Sequence, residues 1–356
     1  MKEVSFERNN VMRKNLLICG LFLLISMSLS GCGGNKSSSI RGNETNKESE
    51  VTPPSGEEEP SDDIDYGKVS FKTIYVYADL NGNSFDEVPI RPIFTKPEAC
   101  KNEVFEYEIK NESICYIENN YVYAIGEVGS TKVTAKSQHL SGTFVVIASN
   151  KFNNSNAFAM AKSLANTASH TSQQGTTLFV GASTFEFWRT KHNIDENFTT
   201  AFSGYDVANV GISGTQAREW RSLRKKLIDP YEPENIVMHL GLNDIDDNSE
   251  DGESTAEYVM TLCQDIWDKF PNCNIYCCSL VRCTGTFASK WTYHNEFNEI
   301  MKNNAQNTAK LHYLDIMGIF GDDYDNYHQP DGLHLNTAAY EIIKNLIKET
   351  VPLKVL

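Results

Sequence analysis

The chain lacks two features that would place it in a common class of protein. Its 356 residues contain 32 lysines and arginines against 47 aspartates and glutamates, for a formal net charge of −15, and no basic stripe occurs anywhere. Nucleic-acid binding is therefore disfavoured, because it needs a cluster of positive side chains. The longest apolar run, Leu16 to Leu29, is shorter than the roughly 20 residues that a membrane-spanning helix requires.

This short apolar run belongs to a targeting signal. Arg13 and Lys14 precede it, and the sequence Leu-Ser-Gly-Cys ending at Cys32 closes it. The pattern resembles a bacterial lipoprotein signal peptide, in which the cysteine is lipidated and becomes the mature N-terminus. The resemblance implies a signal over residues 1–31 and a mature chain outside the cytoplasm, attached to the cell membrane through Cys32. A plain secretory signal and a single membrane anchor are the alternatives.

An odd number of cysteines remains in the predicted mature chain, so at least one is unpaired even where disulfides are permitted. They are Cys100, Cys115, Cys263, Cys273, Cys277, Cys278 and Cys283. The cluster after Cys263 suggests zinc at first sight, but 273–280 is predicted to be a core strand, in which Cys277 and Cys278 point to opposite faces. We therefore expect small buried side chains and no metal site.

Composition changes along the chain predict its domains. From Arg41 to Tyr66 there are nine acidic residues against two basic ones among serine, proline and glycine, a composition that cannot bury a core. This predicts a disordered acidic tether over 32–66. A polar connection is predicted over 150–174, after the next domain, and its alanine-rich part at 156–168 is the candidate for a short helix.

Residues 67–149 have the texture of an all-β domain. Short segments rich in β-branched and aromatic residues are separated by turn residues, as in a β-sandwich. The candidate strands are Ile74 to Tyr77, Val104 to Ile109, Tyr121 to Ile125, Thr131 to Ala135 and Gly142 to Ile147. The passage from Tyr107 to Ser137 resembles a bacterial immunoglobulin-like domain of the Big-2 type, which implies a spacer or a surface-adhesion unit.

Residues 175–356 alternate between strand and helix patterns. Such repeats predict a parallel sheet covered by helices on both faces, a three-layer α/β/α domain with five strands. The candidate strands are Thr177 to Gly181, Tyr205 to Val210, Ile236 to Leu240, Asn274 to Leu280 and His312 to Ile316. Apolar residues recur at helical spacing between 256 and 270 and again between 340 and 347.

Four short motifs follow these strands in order. They are Gly-Ala-Ser-Thr at 181–184, Asn-Val-Gly-Ile-Ser-Gly at 209–214, Gly-Leu-Asn-Asp at 241–244 and Asp-Gly-Leu-His at 331–334. Ligands of open parallel sheets bind beyond the carboxyl ends of the strands, so the four motifs are expected to meet at one edge. The glycine motifs are ordinary turns when taken singly, and the ordered set is the informative signal.

This ordered set resembles the SGNH hydrolase superfamily, also called GDSL esterases and lipases, and the resemblance covers residues 175–356. By motif position it implies Ser183 as nucleophile, His334 as base and Asp331 as its partner. Ser183, Gly211 and Asn243 are implied as the oxyanion donors. Ala182 stands where the family name has aspartate, a position outside the triad.

These residue types suit acyl transfer. An imidazole must accept the serine proton, and a carboxylate must fix the tautomer of that imidazole. Backbone N–H groups and an amide can stabilise the oxyanion of the tetrahedral intermediate. No metal or other cofactor is needed.

Two nearby patterns compete with this interpretation. Asp325 and His328 form a second Asp-x-x-His upstream, but in a polar loop rather than directly before the terminal helix. The acidic run from Asp244 to Glu253 resembles a calcium loop only in part, because Tyr258 stands where an EF-hand needs glutamate. Trp188, Trp291 and Arg282 either line the cleft or pack elsewhere.

The expected function is hydrolysis of carboxylic esters, with a short acyl group on a carbohydrate as the leading substrate. The alternatives are an O-acyltransferase that uses the same site and a catalytically inactive surface protein that binds glycans. The sequence leaves the oligomeric state open.

Overall fold

The computed structural model describes residues 64–78, 87–125, 127–171, 175–248 and 250–356. The predicted signal peptide, the lipidation of Cys32 and all but the last three residues of the predicted tether lie outside these ranges. Residues Asp62–Leu356 form one compact unit. None of the helices in the described ranges combines the length and the apolar character needed to cross a membrane.

Nine short strands and one helical turn occur in the described part of the all-β region. The strands are β1 (Val69–Phe71), β2 (Ile74–Tyr77), β3 (Val88–Pro89), β4 (Pro92–Phe94), β5 (Glu106–Ile109), β6 (Cys115–Glu118), β7 (Tyr121–Ala124), β8 (Gly129–Lys136) and β9 (Ser141–Ser149), and α1 spans Pro97–Cys100. Each of the five predicted segments overlaps a strand. Very short strands such as β3 escaped prediction because two residues carry no periodicity.

These strands pair into a four-stranded sheet, β2-β9-β8-β5, a three-stranded sheet, β3-β7-β6, and a β1-β4 ribbon. The β2 and β9 strands pair in parallel, and the β8 and β9 hairpin is antiparallel. One buried cluster includes Val76, Val88, Val122, Val133 and Val146, which come from both larger sheets. The region therefore has a core of its own, while the likeness to an immunoglobulin domain stays a prediction.

The segment between the two regions is packed. It carries helix α2 (Ala157–Thr171), close to the expected 156–168. Just before this helix, the buried Phe152 ring stacks on Tyr77 of β2 at 4.7 Å between ring centroids. Phe152 also meets Phe158 of α2 edge to face. These aromatic contacts join the end of the all-β region to the helix that follows.

The five-stranded parallel sheet predicted for the C-terminal region is confirmed. Its order is β11-β10-β12-β13-β14, and every neighbouring pair is parallel. The strands are β10 (Thr177–Gly181), β11 (Val207–Asn209), β12 (Asn235–His239), β13 (Asn274–Cys278) and β14 (Leu311–Leu314). All residues of β10 and β12 are buried, as expected for central strands covered on both faces.

Helices cover both faces of this sheet. They are α3 (Ser183–Thr190), α4 (Phe198–Ala201), α5 (Ala217–Leu227), α6 (Leu242–Asn248), α7 (Gly252–Lys269), α8 (Trp291–Asn307), α9 (Ile316–Phe320) and α10 (Thr337–Thr350). One core cluster joins the sheet to α2, α5, α7 and α8, and a second joins it to α3, α4, α9 and α10. Cys277 belongs to the first cluster and Cys278 to the second, which confirms their predicted opposite directions.

A buried ion cluster links the all-β region to helices α5 and α7. The carboxylate of Asp265 on α7 is 1% exposed and accepts hydrogen bonds from Arg221 of α5 and from Arg91, which precedes β4. Arg221 also donates to the carbonyl of Pro89 at 3.0 Å. Because one carboxylate neutralises guanidinium groups from both regions, this cluster fixes the all-β region against α5 and α7.

Candidate active site

Ser183 is the first residue of α3, directly after the central strand β10. The turn between them is tight, since a Cβ added at Gly181 would lie 2.7 Å from the carbonyl oxygen of His239. Only glycine fits this approach of two strand ends. Ser183 is 8% exposed, so its hydroxyl lies in a largely desolvated position at the carboxyl end of the sheet.

Asp331 and His334 form a hydrogen-bonded pair in the loop before α10. Oδ2 of Asp331 lies 2.7 Å from Nδ1 of His334, and its Oδ1 accepts the backbone N–H groups of Leu333 and His334 at 2.9 Å each. An ionised carboxylate only accepts hydrogen bonds, so Nδ1 carries the proton and Nε2 is left as an acceptor. Burial raises the pKa of Asp331, but these hydrogen bonds outweigh it and lower the pKa below its usual value.

The competing histidine has a different environment. Nδ1 of His328 lies 3.0 Å from the carbonyl oxygen of Tyr324, and its buried Nε2 has no hydrogen-bond partner in the described part of the chain. No hydrogen bond or ion pair joins Asp325 to His328 among these residues. Burial lowers the pKa of His328, which favours the neutral ring.

Two contacts hold the first turns of α3 against the loop that carries His334. The ring of Phe187, four residues after Ser183 on the same helix, lies 4.5 Å from the His334 ring between centroids. The hydroxyl of Tyr340 on α10 donates to the carbonyl of Thr184 at 2.6 Å. Ser183 and His334 therefore share one edge of the sheet, although no hydrogen bond joins the two side chains in the described structure.

Asn243 is the second residue of α6, two residues beyond Gly241 and shortly after β12 ends. Its side-chain amide donates to the carbonyl of Thr215 at 2.9 Å, which ties the start of α6 to the loop after β11. An amide nitrogen carries two hydrogens, so one remains for another acceptor. In the same loop after β11, the N–H of Ser213 donates to Glu186 of α3 at 2.5 Å.

The two glycines of the motif at 209–214 differ in the hydrogen bonding of their N–H groups. The N–H of Gly211 already donates to Oδ1 of Asn209 at 3.0 Å in a buried position. A Cβ at Gly211 would lie 2.7 Å from Cβ of Phe185, so this glycine permits close packing against α3. The N–H of Gly214 donates no hydrogen bond within the described ranges, and Gly214 has a positive φ of 71°.

Two buried titratable groups border the site, and neither was assigned a role there from the sequence. His239 ends β12, and burial lowers its pKa to about 4, so the ring is neutral. Asp244 follows Asn243 and accepts the N–H of Ala217 at 2.9 Å, while burial raises its pKa to about 7. Asp244 is the last residue of the Gly-Leu-Asn-Asp motif and His239 lies two residues before that motif, which was the available signal, but the burial of both depends on the packing of α5 and α3.

The remaining side chains that the sequence left open are now placed. Trp188 is 1% exposed and packs in the aromatic core of α3 and α4, whereas Trp291 is half-buried. The guanidinium of Arg282 lies 4.8 Å from the ring centre of Tyr324 and 5.9 Å from that of Trp291.

Within the described residues no group of three or more histidine, cysteine or carboxylate side chains could hold a metal ion. All seven cysteines there are free and buried.

Residues 169–342 match the model of the GDSL-like lipase/acylhydrolase family. Among curated proteins, N-acylneuraminate cytidylyltransferase of Escherichia coli O18:K1:H7 is 29% identical over 177 residues, which are 48% of this chain and 39% of that enzyme. The chain thus spans about two fifths of the length of this relative.

Solved structures with partial likeness include a GDSL-like lipase from Bacteroides thetaiotaomicron, 18% identical with a TM-score of 0.46 over 54% of this chain and 97% of that one. An acetyl-xylooligosaccharide esterase from Geobacillus is 15% identical, with a TM-score of 0.39 over 50% of this chain and 96% of that one. The family match and the parallel sheet agree on the C-terminal region. Residues 169–342 form a hydrolase domain of the GDSL-like lipase/acylhydrolase family.

Proposed function

We propose that the chain is a serine esterase that hydrolyses carboxylic esters through an acyl-enzyme on Ser183. The observation that carries the proposal is the pair of Asp331 and His334, held at 2.7 Å beside the helix that Ser183 begins. A histidine whose Nδ1 proton is fixed by a carboxylate presents a basic Nε2. The site also lies at the sheet edge where ligands of such folds bind.

Each proposed step assigns one role to these groups. Oγ of Ser183 attacks the ester carbonyl carbon while Nε2 of His334 takes the hydroxyl proton, and Asp331 stabilises the resulting imidazolium. The C–O bond to the alcohol then breaks, and the alcohol leaves with the proton from Nε2. Water next attacks the acyl-enzyme, again giving a proton to His334, and Ser183 is restored as the carboxylic acid departs.

The oxyanion of the tetrahedral intermediate needs donors that are not already used. The N–H of Ser183 and the second amide hydrogen of Asn243 meet this need in the proposal. For the third donor we favour Gly214 over Gly211, because the N–H of Gly211 already bonds to Asn209 whereas that of Gly214 has no acceptor in the described structure. Gly214 also lies between Ser213, which contacts α3, and Thr215, which contacts Asn243.

The proposed substrate is a short acyl ester, such as an acetyl ester, of a carbohydrate. Of the three bulky side chains that follow Ser183, Phe185 and Trp188 are each 1% exposed and fill the core instead of lining an acyl channel, and the half-buried Phe187 packs against His334. This supports a small acyl group. The name of the E. coli relative refers to a sugar acid, which favours a carbohydrate as the alcohol part. We further propose that Cys32 carries lipid and holds the enzyme outside the cytoplasm.

The test combines fluorophosphonate labelling with p-nitrophenyl acetate turnover, using the chain without residues 1–32. Labelling of Ser183 together with steady turnover is the expected result, and Ser183→Ala should abolish both. Labelling with poor hydrolysis, but with acyl transfer to an added sugar, would identify a transferase. Neither labelling nor turnover would leave the inactive surface-binding protein as the better interpretation. Acetate release from O-acetylated oligosaccharides, compared with long-chain esters, tests the substrate.

A further inference from the structure

Three consecutive backbone carbonyls, those of residues 213–215, each accept a hydrogen bond from an asparagine side chain. Asn154 donates to the first at 2.7 Å, Asn153 to the second at 2.8 Å and Asn243 to the third at 2.9 Å. A carbonyl oxygen only accepts, so each amide must turn its nitrogen toward the loop. The loop after β11 is therefore held along its length by side chains from two other segments.

Asn153 and Asn154 precede the family match, which begins at residue 169. They follow Phe152, whose ring is stacked on Tyr77 of the all-β region. The N–H of Asn153 also donates to Glu219 of α5 at 2.6 Å. The segment that joins the two regions is thus fastened on one side to the all-β region and on the other to the loop of the proposed active site.

The hydrogen bond from Asn154 also affects the N–H of Gly214, because the peptide bond is planar. The carbonyl of Ser213 and the N–H of Gly214 belong to one peptide unit and point in opposite directions. A hydrogen bond to the carbonyl therefore fixes the direction of the N–H and polarises it toward an acceptor on the other side. We infer that Asn154 is a positioning residue, which aims the N–H of Gly214 at the oxyanion of the proposed reaction.

Both the nitrogen and the oxygen of the Asn154 side-chain amide form hydrogen bonds. Its Oδ1 accepts the N–H of Asn156 at 2.9 Å, and its backbone carbonyl accepts the N–H of Ala157, where α2 begins. The acceptor half of the amide shapes the start of α2, and the donor half holds Ser213. An experiment can separate these two halves because aspartate has the same shape and keeps only the acceptor.

This inference rests on the proposed esterase function, and Asn154→Asp in the otherwise unchanged chain tests it. The substitution keeps an oxygen for the N–H of Asn156 but places a second oxygen against the carbonyl of Ser213. We expect kcat for p-nitrophenyl acetate to fall about 10- to 100-fold, less than or equal to the loss of a direct oxyanion donor, with KM within about twofold. Asn156→Asp, which adds the same charge two residues away on an exposed side chain, is the matched control and should keep wild-type kcat.

The pH dependence distinguishes positioning from general damage. A protonated carboxyl can donate again, so the kcat deficit of Asn154→Asp relative to wild type should shrink as the pH falls toward the usual aspartate pKa of about 4. The wild-type kcat measured at the same pH is the reference for each ratio. If Asn154→Asp does not fold, Asn154→Ser, which also keeps an acceptor oxygen and lacks the amide donor, should show the same loss of kcat.

Equal kcat values for Asn154→Asp and Asn156→Asp would overturn the inference, as would a deficit that is independent of pH. Failure of the proposed function looks different, because the wild-type chain itself would then neither turn over the ester nor react with the fluorophosphonate.

Discussion

Asp331 holds Nδ1 of His334 at 2.7 Å, whereas the second Asp-x-x-His sequence forms no such pair in the described structure. The ring of His328 instead faces the carbonyl of Tyr324. A backbone carbonyl fixes a tautomer, but it carries no full charge to stabilise an imidazolium. The same four-residue spacing therefore gives two different local environments, and only one suits a general base.

We expect His334→Ala to reduce kcat/KM by about 10⁴-fold or more, close to the effect of Ser183→Ala, because the members of a triad act as one unit. His328→Ala should change the rate by less than about tenfold, since its ring contacts no proposed reacting group. Steady-state kinetics with p-nitrophenyl acetate on the folded variants decides between them. An active His334→Ala beside an inactive His328→Ala would move the base to His328.

Asp331→Asn should lower kcat by an intermediate factor. Asparagine keeps the side-chain shape and an oxygen for the N–H groups of Leu333 and His334, but it has no charge for the imidazolium and can turn an amide hydrogen toward Nδ1. The expected loss is about 10²- to 10⁴-fold in kcat. Asp325→Asn is the matched control and should retain wild-type kinetics. A silent Asp331→Asn would exclude its carboxylate from the mechanism.

Asn243→Ala should reduce kcat by about 10²- to 10³-fold with little change in KM, because the oxyanion exists only in the transition state and the intermediate. The amide also ties the start of α6 to the loop after β11 through Thr215, so the thermal stability of the variant should be measured beside its kinetics.

Asn209→Ala tests whether Gly214 or Gly211 donates its N–H to the oxyanion. It releases the N–H of Gly211 and also removes the hydrogen bond from Asn209 to the carbonyl of Phe185. If Gly214 is the donor, kcat of the folded variant should stay within about tenfold of wild type and should not rise, whereas a higher kcat would identify Gly211 as the donor.

The parallel sheet could be predicted from sequence because its strands are short apolar segments and β10, β11 and β12 end at glycine motifs, which are local signals. Every predicted strand overlaps an observed one, and β10 agrees in both of its ends. Three kinds of feature could not be predicted. The use of Gly211 by Asn209 depends on a buried side-chain contact, and the role of Asn154 depends on the packing of Phe152 against Tyr77. The burial of Asp244 follows from how α5 meets the loop after β12.

The linkage of the two regions through Asp265 predicts a large effect on stability. Removing this buried carboxylate leaves the guanidinium of Arg221 without its ionic partner and that of Arg91 with only Asp268, so Asp265→Ala should lower the free energy of unfolding by about 3 to 5 kcal/mol. Asp268→Ala is the matched control, because the Asp268 side chain is 52% exposed and its pair with Arg91 is worth about 0 to 1 kcal/mol. Urea denaturation of both variants measures the difference. Similar midpoints for the two would show that the buried cluster does not couple the regions.

Asp244 predicts a dependence of stability on pH. Burial raises its pKa to about 7 in the folded chain, against about 3.9 for an unperturbed aspartate in the unfolded chain. Between these values the folded state holds a proton that the unfolded state has lost, so stability falls as the pH rises from about 4 to 7 and then levels off. Asp244→Asn keeps an oxygen for the N–H of Ala217 and cannot ionise. The part of the decrease in stability between about pH 4 and 7 that Asp244 causes should therefore be absent from this variant.

Urea denaturation at pH 5 and pH 8 tests this prediction through the difference between wild type and Asp244→Asn. The free energy of unfolding of the variant, relative to that of the wild type, should be about 1 to 3 kcal/mol higher at pH 8 than at pH 5. Groups that do not interact with Asp244 cancel in the comparison, whereas the charge of Asp244 helps to raise the pKa of Glu219, so the loss of that charge acts in the same direction. A difference that does not change with pH would mean that Asp244 stays ionised throughout, with its charge stabilised by the N–H of Ala217 at the start of α5.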